Sequence, residues 1–132
     1  MKQILFVLFI FCNSVKGQEN IFLAPDKIPN CETMKDGKFK SANYALSDYY
    51  MIVANGIQTE YISEGKYYVK SKMEFINTCE YKTTIVEITI PDYDKKVGEF
   101  LTTKILETEC EYIKVRSRMY DKDYEFVLEK MY

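Results

Sequence analysis

The sequence predicts an antiparallel all-β domain of about eight strands, an up-and-down meander strongly curved or closed into a small barrel. Three observations predict it. From Tyr49 onward apolar and polar residues alternate with a period of two, the repeat of a half-buried strand. Turn-forming pairs punctuate the runs, and Asn55-Gly56 is the strongest of them, because a type I′ hairpin turn needs positive φ at both central residues. Twelve of the 132 residues are tyrosine, and a chain rich in tyrosine and β-branched residues favours strands.

Taken in order, residues 18–35 carry Pro25 and Pro29 without a period and read as an irregular lead-in. Asp36-Gly37 turns into a short strand over 38–40, and 41–48 is a polar loop with room for one helical turn. Strands follow over 49–54 and 57–63, joined by Asn55-Gly56. After Glu64-Gly65, residues 66–75 place Tyr67, Val69, Ser71, Met73 and Phe75 on one face, with Tyr68, Lys70, Lys72 and Glu74 on the other. Asn77-Thr78 turns into a long strand over 79–90. Its apolar parity shifts between Tyr81 and Val86, which a β-bulge near Ile85 reconciles. A charged loop over 91–98 leads to a strand at 100–108. A tight turn at 109–111 precedes 112–119, where Ile113, Val115 and Met119 face inward. A turn at 121–123 leads to 124–130, with Tyr124, Phe126 and Leu128 on one face. An open meander of this length leaves two exposed edges. Closure into a barrel hides them, as does the alternative, a two-layer β-sandwich.

Residues 1–17 read as a signal peptide, leaving 18–132 as a single β domain. Lys2 precedes an unbroken apolar run from Ile4 to Cys12, and a short polar segment ends in Val15-Lys16-Gly17. The run is shorter than the about 20 residues of a permanent span. Cleavage is expected after Gly17, and the protein is expected to be exported, to the periplasm or beyond. The alternative is a lipoprotein acylated at Cys12, disfavoured because Phe11 stands where a small residue is wanted. After cleavage 16 basic residues face 20 acidic ones, a net charge of −4, which argues against nucleic acid as a partner. No later apolar stretch approaches the length of a membrane span.

The chain has no histidine. That removes Ser-His-Asp and Cys-His catalysis and histidine-ligated metals. With no Cys-x-x-Cys either, no catalytic residue, cofactor or metal site is assigned. Glu60, Glu74, Glu80 and Glu87 are the remaining acid–base groups on strands. A pair at the right separation cleaves a glycosidic bond, but the plainer reading is solvated, outward positions. The cations Lys70, Lys72, Lys114, Arg116 and Arg118 form two stripes. If their strands are neighbours, the stripes make a patch for an anionic glycan, lipid head group or acidic partner. The plainer reading is a strand face balanced by Glu107, Glu125 and Glu129. Tyr49, Tyr50, Tyr67, Tyr68 and Tyr112 are suited either to a recognition surface or to filling core and edges. Export permits a disulfide, and the three cysteines after residue 17, Cys31, Cys79 and Cys110, leave one thiol over, with spacing unable to choose the pair. Cys110 lies between Glu109 and Glu111, and acidic neighbours raise a thiol's pKa, which disfavours a nucleophile there.

The ordered set Cys31, Gly37, Phe39, Ile52, Asn55, Gln58, Glu60, Val69, and then Phe75 with Cys79-Glu80-Tyr81, resembles a family of small exported proteins of flavobacteria and their relatives. In that family a cysteine precedes a Gly-x-Phe strand, then a Gln-x-Glu strand, then an aromatic leading into Cys-x-Tyr. The likeness spans most of 31–132. Phe75 stands where the family usually has tryptophan, and Ala54 where arginine is common. The resemblance implies an exported bacterial protein with a Cys31–Cys79 disulfide, leaving Cys110 as the free thiol. The rival bond, Cys79–Cys110, would staple strands that their ladder already holds. The resemblance supplies no mechanism. The resulting expectation is a non-enzymatic binding or interaction module of the bacterial cell envelope, its partner an envelope protein or a small apolar ligand. A structural envelope component without a ligand is the alternative, and a carboxylate-dependent hydrolase the third. A cavity within the barrel would favour ligand binding; a fully packed interior would favour surface interaction.

Overall fold

In a computed structural model, which describes residues 22–132, the chain is an eight-stranded antiparallel barrel. The expected signal peptide, its cleavage after Gly17 and the alternative acylation of Cys12 lie outside the described residues. The strands are β1 (Gly37–Ser41), β2 (Tyr49–Ala54), β3 (Ile57–Ile62), β4 (Tyr67–Asn77), β5 (Glu80–Ile88), β6 (Phe100–Glu109), β7 (Tyr112–Met119) and β8 (Lys122–Lys130). Each pairs with its neighbours in sequence, and β1 also pairs with β8, Phe39 opposite Lys130 and Ser41 opposite Leu128. That pairing removes both edges and decides for the barrel over the sandwich.

The turns follow local chemistry. Asn55 and Gly56 both adopt positive φ, 53° and 76°, as the hairpin requires. The loop before β2 holds one hydrogen-bonded turn, Tyr49 N–H donating to the Ala45 carbonyl at 3.1 Å. Two turns are tighter than the sequence suggests. Cys110 (φ 54°) and Tyr120 (φ 57°) take left-handed conformations, so two-residue connections suffice and β8 begins at Lys122 rather than 124. The β5 bulge falls at Val86: Lys70 faces Glu87 while the next residue, Ser71, faces Ile85. Two further register shifts, at Ile76 in β4 and Leu106 in β6, were not expected. Bulges increase local twist, which helps a sheet this small curl shut.

The lead-in is not merely irregular. Residues 31–34 form a short 3-10 helix (Cys31–Met34), with Cys31 and Met34 both buried among the inward residues Phe39, Ile113, Val115 and Leu128. Four residues carry too little periodicity to be read in advance. The Cys31–Cys79 disulfide, at a sequence separation of 48, ties this plug to the β4–β5 turn. Upstream, the lead-in is strapped to the β6–β7 hairpin. Asp26 N–H donates to the Thr108 carbonyl at 2.9 Å, Asn30 N–H to Thr108 Oγ1 at 2.8 Å, and Thr108 O–H to Asp26 Oδ2 at 2.6 Å. Phe22 and Val127 pack against Tyr112 on the outer wall. The C-terminus closes over the same end: a Cβ at Gly37 (φ 131°) would lie 2.3 Å from the Tyr132 carbonyl oxygen, so only glycine fits. Cys110 corrects an expectation: it is disulfide-bonded, and no described cysteine is free.

Candidate functional site: a cavity inside the barrel

The plug fills one end of the barrel. Toward the other end the inward side chains enclose a cavity of about 290 Å³, lined from seven of the eight strands and from the loop between β5 and β6. Met51, Tyr81, Phe126 and Leu128 line it alongside Gln58, Ser71, Thr83, Thr103 and Ser117. Its rim includes Tyr93, Phe100 and Tyr124, all exposed to solvent. The rim loop is anchored at its base by paired backbone bonds, Gly98 N–H to the Ile85 carbonyl and Ile85 N–H to the Glu99 carbonyl, each 2.9 Å. The Glu99 carboxylate accepts from the Tyr120 hydroxyl, across the β7–β8 turn, and from Lys96 N–H. These bonds, the Tyr120 one foremost, hold its carboxyl below the usual range.

One strand of the wall inverts the usual pattern. In β3 the register sets Gln58 opposite Val53 and Ser71, and Glu60 opposite Met51 and Val69, all inward positions. Ile57 and Tyr61 therefore face out and Gln58 and Glu60 face in. Glu60 accepts a hydrogen bond from the Tyr49 hydroxyl at 2.6 Å and is also hydrogen-bonded by the Gln58 side chain. Burial pushes its carboxyl above the usual range, against the pull of those two bonds and of the Lys95 charge. Tyr49 is raised well above the ordinary phenol, first by burial and then by the Glu60 charge beside it. Tyr81 is raised mainly by burial, opposed by a hydrogen bond from Thr103. Tyr93 is raised by burial and then by Glu60. Thr103 and Ser117 pair hydroxyl to hydroxyl at 2.8 Å. Every buried side-chain polar atom among the described residues has a partner.

The four strand carboxylates do not converge. Glu60 alone enters the cavity, correcting the outward reading for that residue. Glu74 and Glu87 face out beside Lys72 (3.9 Å) and Lys70 (3.7 Å), and Glu80 accepts from the Asn77 amide at 3.2 Å. The two cationic stripes do not merge, because β5 and β6 separate β4 from β7. Each cation has an acid. Lys114 lies 3.8 Å from Glu107, Arg116 3.0 Å from Glu125 and Arg118 3.3 Å from Asp123, while Glu129 pairs with Lys40 instead. The tyrosines divide. Tyr49 is inside, and Tyr67 lies under the Lys66 ammonium at 5.3 Å. Tyr50 and Tyr68 flank Tyr61 in an outer stack, with centroids 4.7 and 6.0 Å apart, and Tyr112 is buried beneath Phe22. Sequence reasoning missed Gln58, Tyr81, Thr103 and Ser117 as lining residues. The signal available was the parity of β3, which sets two polar residues on the side where its neighbours are apolar.

Comparisons with protein-family models, with curated proteins and with solved structures found no match.

Proposed function

We propose that this chain is an exported, non-enzymatic binding module that holds one small, largely apolar molecule inside its barrel. The observation that carries the reading is the cup itself: an eight-stranded barrel plugged at one end, with a cavity of about 290 Å³ reaching a solvent-exposed rim at the other. Barrels of eight strands have room for a packed core or for one small ligand, and this volume is at the small end of the roughly 300–1,000 Å³ of ligand pockets. A mostly apolar lining with a few placed polar groups is the usual make-up of such sites. The charged ladders on the outer wall suit water rather than lipid, since a lipid-facing barrel carries an apolar outer band. The Cys31–Cys79 bond is consistent with an oxidising compartment. A hydrolytic reading is less well supported: Glu60 is alone in the wall, and the rim carboxylate Glu99 is committed to Tyr120 and Lys96.

The test is titration with the neutral apolar fluorophore N-phenyl-1-naphthylamine. Emission is expected to rise on binding at a single saturable site. Ser71→Phe, which fills the cavity, should abolish the rise, while Lys72→Phe, one residue along and facing out, should preserve it. Absence of saturable binding, or equal binding by a folded Ser71→Phe variant, would reject the proposal.

A further inference from the structure

Resting on that reading, we infer that the molecule held in the cavity is a small organic ammonium, an amine on a short apolar body, whose charged nitrogen docks on the Glu60 carboxylate.

A carboxylate facing a cavity inside a barrel needs a reason, because desolvating a charge is costly unless it is paired. Glu60 has two neutral donors, Tyr49 and Gln58. Among the described residues no cation forms an ion pair with it. Lys95, which lines the same cavity from the rim loop, acts on Glu60 only at longer range and pairs at 3.5 Å with its own neighbour Asp94. A carboxylate accepts up to about four hydrogen bonds, so two donors leave capacity on the side where the cavity lies. The ion pair at Glu60 is half built, and a ligand ammonium completes it.

The surroundings suit the same group. Tyr49, Tyr81 and Tyr93 all lie within electrostatic reach of Glu60. An ammonium carries three donors, so once one reaches the carboxylate the others need acceptors, and phenol oxygens supply them. Aromatic rings also attract cations through their faces. The apolar part of the cavity, from Met51 to Phe126, then takes the body of the ligand. A ligand carboxylate would instead face Glu60 with like charge, and a neutral molecule would leave that charge unmatched.

The experiment is calorimetric titration of the full-length mature protein at neutral pH with three probes of similar shape: phenethylamine, phenethyl alcohol and 3-phenylpropionate. The amine is expected to bind at least about tenfold tighter than the alcohol, the gain of a charge-assisted hydrogen bond, and the propionate weakest. Glu60→Gln should bring the amine down to the affinity of the alcohol for the same variant. If the variant does not fold, the ranking of the three probes on the natural protein still decides. An alcohol that binds as tightly as the amine, or a propionate that binds tightest, overturns the ammonium assignment and leaves the binding cup standing. Failure of all three probes together with the neutral fluorophore overturns both.

Discussion

The two ends of this barrel are made from the same strands and enclose opposite things. At the plugged end Phe39, Ile113, Val115 and Leu128 meet Met34 and Cys31 in an apolar core with almost no exposed surface. Toward the rim Gln58, Glu60, Ser71, Thr83, Thr103 and Ser117 interrupt an apolar wall that includes Val69, Ile85 and Met119, and the space between them stays open. Along β4, inward Met73 lies nearer the plug and inward Ser71 lines the cavity. Close packing supplies stability in proportion to the apolar area removed from water. A cavity left open forgoes part of that gain. The plugged end therefore holds the fold and leaves the rim end available for binding.

The largest test of this division removes the plug. Replacing Cys31 and Cys79 together by serine frees a segment closed over 48 residues, a loop whose closure entropy is worth about 4 kcal/mol in the chain-entropy model. Denaturant unfolding under non-reducing conditions should show a loss of that order, with weaker retention of the fluorophore because the floor of the cup has loosened. A loss below about 1 kcal/mol would assign the anchoring to the straps between the lead-in and the β6–β7 hairpin instead.

A smaller effect is expected higher in the wall, where stability rests on paired polar groups. Thr103 and Ser117 satisfy each other across β6 and β7. Ser117→Ala leaves the Thr103 hydroxyl only its bond to Tyr81, and the expected cost is about 1 kcal/mol. Adding Thr103→Val also strips the buried Tyr81 hydroxyl of that bond, so the double variant should lose about 1–2 kcal/mol more. If the double variant costs no more than the single one, water in the cavity serves the Tyr81 hydroxyl and the wall is wetter than its packing implies.

The strand order was the legible part. Hairpin turns and period-two runs set seven of the strand connections, and the parity break near Ile85 located a bulge one residue from where it falls. The closing pair, β1 with β8, left no mark beyond the general need to hide edges, because register between distant strands is not written locally. The plug was invisible for a related reason: four residues of 3-10 helix have no period, and only the resemblance implied its disulfide partner. The cavity was misread where hydrophobicity and orientation disagree. In β3, Ile57 and Tyr61 face out while Gln58 and Glu60 share the inward face with Ile62, so a rule that sends apolar residues inward misplaces the middle of the strand. The rule fails there because the interior beside β3 is a cavity wall rather than a packed core.

The smallest expected effect on stability, and the one that most sharpens the contrast between the ends, is at Glu60. Burial raises its carboxyl pKa in the folded protein, so the folded state binds this proton more tightly than the unfolded chain does. Stability falls with pH wherever the folded state holds more protons. The contribution of Glu60 is therefore fully present below the unfolded carboxyl pKa of about 4.3, and it is lost as pH rises through the higher folded value. Glu60→Gln keeps an acceptor for the Tyr49 hydroxyl and never ionises. Its stability relative to the natural protein should accordingly improve from acid toward neutral pH, and then level off. Urea unfolding of both proteins across that interval measures the gap. A gap that moves the other way would mean that Tyr49, Gln58 and Lys95 together outweigh desolvation, making the carboxylate a stabilising part of the empty wall. The rim end would then be held by its polar network as the plugged end is by packing, rather than kept open at a cost in stability for a ligand to offset.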